Sequence, residues 1–419
     1  MITILCSGSR GDIQPYIALA LELQKQGKEV RICTGKSFEK FITGYGIGFT
    51  SISADLETAQ GINPELMRAA QSSDNPLKML LTFRKMKRFA EKVAAAMTEE
   101  SVLACMGSEL IVYHPGCAAG YFAARQLGVP AVLATPFPLH RTREYASMVA
   151  YGRYPLLLKA VSYSLLQGML WSVSRNAVAD YWKRTFGALP ENFGCPYEKV
   201  SGRYPAVVSC SGAVFPRPDD WDENIHQSGY WFLNETGDYQ PPQALAEFLA
   251  AGEMPVYIGF GSVLNQQEGE YISHIAVEAL QKTGMRGILC GFGDVFGLPE
   301  SVFSIRSVPH SWLFGKVTAV CHHGGAGTTA AGFAAGVPSI IIPFSNDQFA
   351  WAHRAYDLGV APKPFSKKQL TAERLADALQ FSQREDVRSK AAALGASVRA
   401  EHGTRDAVAV ILSALKAKV

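Results

Sequence analysis

The sequence predicts an α/β protein built from two doubly wound parallel-sheet domains that face each other across a cleft. Three observations lead there. Short apolar runs alternate with segments of helical periodicity along most of the chain, which is the pattern of parallel βαβ units. The alternation comes in two series, separated by the polar stretch "NETGDYQPPQ", a linker by composition. A chain of 419 residues also has the length for two or three domains of ordinary size.

The elements follow in order. "MITILC" reads as the first strand, and "PYIALALELQKQG" carries apolar residues at helical spacing with a glycine at its end, a helix with its stop signal. "KEVRICT", "GFTSI", "ELIVYH" and "PAVLAT" continue the strand series, with "GCAAGYFAARQLG" as the helix between the last two. From about Ala146 to Phe186 the pattern becomes long, mixed-polarity helix, and "AVVSCSG" resumes the strands and closes the first sheet. The second series runs "PVYIGFGSV", "GILCGFG", "SIRSVPH", "AVCHHG" and "SIIIPF" with helices between, and the residues beyond Leu370 read as successive helices. The expected domains are residues 1–235, and 236–419 with the terminal helices included. Ligands in such sheets bind beyond the carboxyl ends of the strands.

Composition excludes several classes. A net charge of +3 is too mild for a nucleic-acid partner. The eight cysteines form no CxxC pair, and several sit in apolar runs, as expected of a reduced, cytoplasmic protein without a metal cluster. The start, "MITILCSGSRGD", lacks the basic and apolar regions of a secretory signal. No run of about twenty apolar residues suits a membrane span. The segment "NPLKMLLTFRKMKRFAEKVAAAM" sets Arg84, Lys85, Lys87 and Arg88 beside apolar positions. An ordinary amphipathic helix with a solvated basic face explains it best, with a peripheral contact to an anionic membrane surface as the alternative. "YGRYPLLLKAVSYSLLQGMLWSV" is similarly apolar and reads as pocket lining or core.

Two turns carry chemistry. "HHGGAGTT" is a glycine-rich turn opening a helix, where backbone N–H groups favour an anion. Thr328 adds a hydroxyl and His323 an imidazole N–H. Together they describe a diphosphate clamp that needs no metal; the plainer alternative is a βα turn with a buried, hydrogen-bonded histidine. In "GSRGDIQP" after the first strand, Asp12 reads first as a helix N-cap. A dinucleotide site is disfavoured there, because the G-x-G-x-x-G spacing is missing and "RICTGK" offers no acidic residue to a ribose.

Several blocks, "GSRGDIQPYIALALELQKQGKEV", "DDWDENIHQSGYWF", "GFGSV", "SVPHSWLFGKV" and "HHGGAGTTAAGFAAGVPSIIIPFSNDQFAWAHRAYDLGV", together resemble family 1 glycosyltransferases of the two-Rossmann-domain (GT-B) type. The nearest branch holds sterol 3-beta-glucosyltransferases and bacterial glycopeptide and macrolide glycosyltransferases. The resemblance implies roles by position. His323, Gly325, Ala326, Gly327 and Thr328 would hold the donor's diphosphate, and Val308 and His310 the nucleobase and ribose. Ser262 would meet the donor at the end of its strand. Asp347 and Gln348 would bond the sugar hydroxyls, and Ser9 and Arg10 would reach the donor. Asp12 stands where many relatives carry a histidine general base, and an aspartate is the weaker base at neutral pH. A ribose-binding glutamate of plant relatives is replaced here by Ala331. His114, Phe137 and His140 fall in loops expected to contact the acceptor. The implied reaction is metal-independent, inverting transfer of a hexose, glucose from UDP-glucose, to a lipophilic alcohol, without a cofactor. A nucleotide-sugar epimerase on the same architecture and a non-catalytic activator of another transferase are the alternatives.

Overall fold

The computed structural model describes residues 1–53, 91, 93–152, 159–233, 239–261, 266–293, 295–344 and 347–417. Its contacts divide the chain into two compact units. One comprises Met1–Ser147, Leu156–Leu233 and His402–Val419, the other Met148–Pro155 and Asn234–Glu401.

The first unit is a seven-stranded parallel sheet in the order β3-β2-β1-β4-β5-β6-β7. Its strands are β1 (Ile2–Leu5), β2 (Val30–Thr34), β3 (Gly48–Ser51), β4 (Leu110–Tyr113), β5 (Ala131–Thr135), β6 (Ala206–Val208) and β7 (Ile225–Gln227). β1, β4, β5 and β6 are buried along their whole length, which is why they read as continuous apolar runs rather than alternating ones. Helices α1 (Arg10–Lys25), α2 (Ala119–Leu127) and α3 (Lys159–Phe186) belong to this unit. The strand order reverses between β1 and β4, and a doubly wound sheet opens its ligand crevice at that switch point. Leu5 stands opposite Tyr113 in the register, so the turns carrying Asp12 and His114 leave the sheet side by side. On α3, Tyr163, Leu166 and Trp171 are buried while Val161, Leu165 and Met169 are exposed.

The second unit is a five-stranded parallel sheet in the order β10-β9-β8-β11-β12. The strands are β8 (Val256–Gly259), β9 (Gly287–Cys290), β10 (Val302–Ile305), β11 (Val320–His322) and β12 (Ser339–Ile341). Helices α4 (Gln266–Thr283), α5 (Ala326–Ala335), α6 (Gln348–Asp357), α7 (Ala372–Ser382) and α8 (Glu385–Ala400) complete it. One core joins the sheet to Ile272, Ala276 and Leu280 of α4 and to Leu375 and Leu379 of α7. Another core on this sheet gathers Leu245, Leu313, Phe314 and Val317. Here the order reverses between β8 and β11, the strands that lead into "GFG" and "HHGG".

Four details depart from the sequence reading. The final helix, Gly403–Lys416, lies with the first unit rather than the second: Ala407, Val408, Ile411 and Ala414 join Ile13, Ile17, Leu19 and Trp231 in one core. Its apolar stripe was legible, but periodicity says nothing about which sheet a stripe covers. α1 begins at Arg10, ahead of Pro15. A proline favours a helix start, yet the cap is set by Ser9. In "SIRSVPH" only Ser304 and Ile305 are strand, the end of β10, and Pro309 precedes the short helix His310–Leu313. β7 was not anticipated. Among the described residues no helix is long and apolar enough to cross a membrane. Residues 75–90 and 92 of the basic amphipathic segment, and 153–158 of the aromatic one, lie outside the described residues.

Ile411 is fully buried. Ile411→Ala is expected to lower the stability of the first unit by about 2–4 kcal/mol, measured by urea unfolding. A loss below about 0.5 kcal/mol would show that the last helix is not part of that core.

Candidate active site

In the first unit, β1 passes through Ser7 and Gly8 into α1. Gly8 has φ +132°, and a Cβ there would come within 2.5 Å of Asp12 Oδ2, so only glycine fits. Ser9 is the N-cap, and its backbone N–H and hydroxyl donate to Asp12 Oδ2 at 2.8 and 2.9 Å. The pair is a capping box, with Asp12 at N3 rather than at the cap. The motif S-R-G-D was the available signal. Arg10 extends its guanidinium over the Phe41 ring at 4.4 Å. Immediately after β4, the His114 N–H donates to the Leu5 carbonyl at 2.9 Å. Its Nδ1 accepts the Gly116 N–H at 3.0 Å, and its ring meets Tyr16 edge-on at 6.1 Å. Burial pushes the His114 pKa down, and the nearby Asp12 carboxylate pulls it partly back.

Phe137 is half-buried on the loop after β5, where its carbonyl accepts the Thr135 hydroxyl at 2.8 Å. His140 is different. It is 3% exposed, neither ring nitrogen reaches the surface or meets a well-formed hydrogen-bond partner among the described residues, and burial lowers its pKa to about 4 against a small opposing pull from the Tyr197 backbone. It packs on Trp221 as a neutral core residue, which corrects the expectation of an acceptor contact.

In the second unit, β11 ends in two histidines with opposite surroundings. His322 is fully buried; its Nδ1 accepts the Gly324 N–H at 3.0 Å, and burial beside His323 and His310 holds its pKa well below the usual imidazole range. His323 is half-buried, its Nδ1 is sealed without a partner among the described residues, and burial lowers its pKa to about 4. Gly324 has φ +95° and would place a Cβ 2.8 Å from Ile341 and 3.2 Å from the Gln348 carbonyl. That close approach seats the start of α6 on the turn. Gly325 caps α5, whose first residues are Ala326, Gly327 and Thr328 with no acidic side chain among them. The first backbone N–H groups of a helix lack helical partners, so this end is open to an anion. The Thr328 hydroxyl has no hydrogen bond among the described residues. At the end of β8, a Cβ on Gly261 would lie 3.4 Å from His323, so "GFG" and "HHGG" adjoin. Ser262 lies outside the described residues.

The remaining donor residues divide. His310 hydrogen-bonds Tyr257 at 3.2 Å and stacks on Phe314 at 4.5 Å, which fixes its ring. Val308 is buried in a core cluster, so its side chain is packing and only its backbone could meet a ligand. Asp347 Oδ2 accepts the Trp351 indole N–H at 3.1 Å. Gln348 Oε1 accepts the Phe344 N–H at 2.8 Å, committing its carbonyl to the loop. Sequence reasoning missed Tyr257, Trp351 and the turn-holding His322. For His322 the signal was its position, the last residue of a fully buried strand. No group of three or more metal-ligating side chains occurs among the described residues.

Residues 2–146 match the glycosyltransferase family 28 N-terminal domain, and residues 292–415 the erythromycin biosynthesis protein CIII-like C-terminal domain. A sterol 3-beta-glucosyltransferase of Arabidopsis thaliana is 32% identical over 418 residues, covering 97% of this chain and 67% of that protein. The chain belongs to this glycosyltransferase family. A second Arabidopsis member, also a sterol 3-beta-glucosyltransferase, is 32% identical and is covered over 64% of its length. One from Candida albicans, again 32% identical, is covered over 28%. The chain therefore spans about two thirds of these plant members and under a third of the fungal one. Among solved structures, the glycosyltransferase of kitacinnamycin aligns at TM-score 0.69 and 20% identity over 98% of this chain and 97% of that one. SnogD from Streptomyces nogalater aligns at 0.65 and 20%, covering 98% of both chains. VinC in complex with dTDP aligns at 0.66 and 19%, covering 99% of both. These likenesses establish the GT-B fold.

The buried histidines set an acid limit on stability. His140 and His323 have folded pKa values of about 4 and His322 a lowered one, against about 6.5 unfolded. Between those values the unfolded chain binds more protons, so stability falls as pH drops through that window and is complete above about 6.5. Denaturation midpoints measured at pH 7.5, 6 and 4.5 should decline in that order, and a flat series would contradict it.

Proposed function

We propose that this protein is an inverting, metal-independent glucosyltransferase that moves glucose from UDP-glucose to the hydroxyl of a lipophilic alcohol such as a sterol. The observation that carries it is the turn after β11, where a helix end without a side-chain cap or an acidic residue in its first turn lies beside the Thr328 hydroxyl and His323. A diphosphate suits that cradle, and the fold neighbour VinC is solved in complex with dTDP. Family membership at 32% identity with sterol glucosyltransferases supports the glucose and the sterol.

In this reading the second domain binds the donor. The α5 N–H groups and His323 meet the charge that develops on the departing nucleoside diphosphate, and enzymes commonly draw more of their rate enhancement from stabilisation of that kind than from any other source. The imidazole is neutral when the site is empty, so it acts as an N–H donor unless the bound phosphates raise its pKa. Asp347, which accepts the Trp351 indole N–H, is the residue the family resemblance assigns to the sugar hydroxyls. The first domain supplies the base: Ser9 holds Asp12 Oδ2, and Oδ1 takes the acceptor proton as the oxygen attacks the anomeric carbon. Attack opposite the leaving group inverts that centre.

The test is a donor and acceptor panel read by mass spectrometry, with UDP-glucose and dTDP-sugars against sterols, phenols and polyketide alcohols. Glucosylated sterol is the expected product; tight binding of dTDP-deoxysugars with indifference to UDP-glucose would overturn the donor assignment. His323→Ala should lower kcat/KM by roughly 2–4 kcal/mol in transition-state free energy. Asp12→Asn preserves an acceptor for Ser9 but not a base, so turnover should fall about a hundredfold with an unchanged melting temperature. Full activity in that variant would place the base elsewhere.

A further inference from the structure

At the switch point of the first sheet, two side chains use half of their hydrogen-bonding capacity inside the protein. Asp12 commits Oδ2 to Ser9, and among the described residues nothing bonds Oδ1. His114 commits Nδ1 to the Gly116 N–H, and nothing among them bonds Nε2. Neither remaining atom is sealed in the interior. The two residues are neighbours. His114 leaves β4 hydrogen-bonded to the end of β1, and its ring packs on Tyr16, which lies one helical turn beyond Asp12 on the same face of α1.

The Gly116 bond also fixes the tautomer. An Nδ1 that accepts must be unprotonated, so the hydrogen of the neutral ring sits on Nε2. His114 therefore presents a donor and Asp12 an acceptor, and His114 in this state cannot take a proton at Nε2.

We propose that Asp12 Oδ1 and His114 Nε2–H form a matched acceptor–donor pair that selects an alcohol as the acceptor substrate, the hydroxyl hydrogen going to Oδ1 and the hydroxyl oxygen receiving the Nε2–H bond. The inference rests on the glucosyltransferase reading and adds a specificity to it. A hydroxyl is a single group that both donates and accepts. An aryl amine donates well but accepts poorly through its conjugated nitrogen and would leave Nε2–H badly matched, while a carboxylate would face the Asp12 charge. Leaving a site's own polar group unpaired is the strongest form of discrimination available to a pocket. During transfer the O–H bond breaks with its proton moving to Asp12 Oδ1. The oxygen forms its bond to the anomeric carbon, and the bond to the diphosphate oxygen breaks with its electron pair leaving on the nucleoside diphosphate. His114 keeps its proton throughout.

The test compares wild type, His114→Phe and His114→Gln with UDP-glucose and three acceptors: cholesterol, 4-methylumbelliferone and its amine analogue 7-amino-4-methylcoumarin. Phenylalanine keeps a ring against Tyr16 but has no N–H, so KM for the alcohols should rise about tenfold or more. UDP affinity by calorimetry and melting temperature should not change, and the preference for the phenol over the amine should narrow. Glutamine restores an N–H and should recover KM to within about threefold. If His114→Phe does not fold, His114→Leu takes its place. Wild-type KM in the apolar variant, or a glutamine variant as impaired as the apolar one, overturns the pair alone. A wild-type protein that binds UDP but glucosylates none of the acceptors overturns the glucosyltransferase reading and the pair with it.

Discussion

Every strand in both sheets runs parallel to its neighbours, and the rest of the molecule follows from that. Parallel pairing sends all the carboxyl ends of a sheet to one edge, so the turns that follow the strands gather there. The turns after β1 and β11 each open a helix whose first N–H groups lack helical partners. The two sheets answer this in opposite ways. In the first, Ser9 and Asp12 fill the helix end with a capping box and leave a carboxylate oxygen over. In the second, Gly325 brings no side chain at all, and the helix end stays open for an anion.

The same small device recurs at both switch points. His114 follows β4 and His322 ends β11, and each turns its Nδ1 to accept the N–H of the glycine two residues on. The bond holds the backbone turn and fixes the imidazole tautomer at once. At His322 the outer nitrogen is sealed in the core and the residue is architectural. At His114 it is not sealed, and the same geometry becomes available to a ligand. Burial keeps both rings neutral, so each behaves as an oriented N–H dipole rather than a charge.

Most of the fold was legible because buried parallel strands need continuous apolar runs, and "LIVY", "AVLAT" and "VYIG" have them. β7 was illegible because a three-residue edge strand, "IHQ", carries no such run and His226 and Gln227 are only half-buried. The donor turn was readable from its glycines. The inward use of Gln348 was not, since one spacing serves both a side chain that holds a loop and one that reaches a sugar. The neighbouring histidines 322 and 323 show the limit most clearly. They are identical in composition, and only the end of the strand decides which is core and which is site.

The last helix lays Ile411 into the core of a sheet whose first strand begins at Ile2. The first domain is therefore assembled from separate lengths of chain, with nearly all of the second lying between them. On a ribosome, α1 emerges with part of its apolar face uncovered, and its partner helix follows only after residues 234–401 of the second domain. The second domain, whose residues end at Glu401, can fold before the first is complete. Through that interval the exposed face of α1 is open to mispairing or chaperone capture, so the first domain stays incomplete until the second has been made.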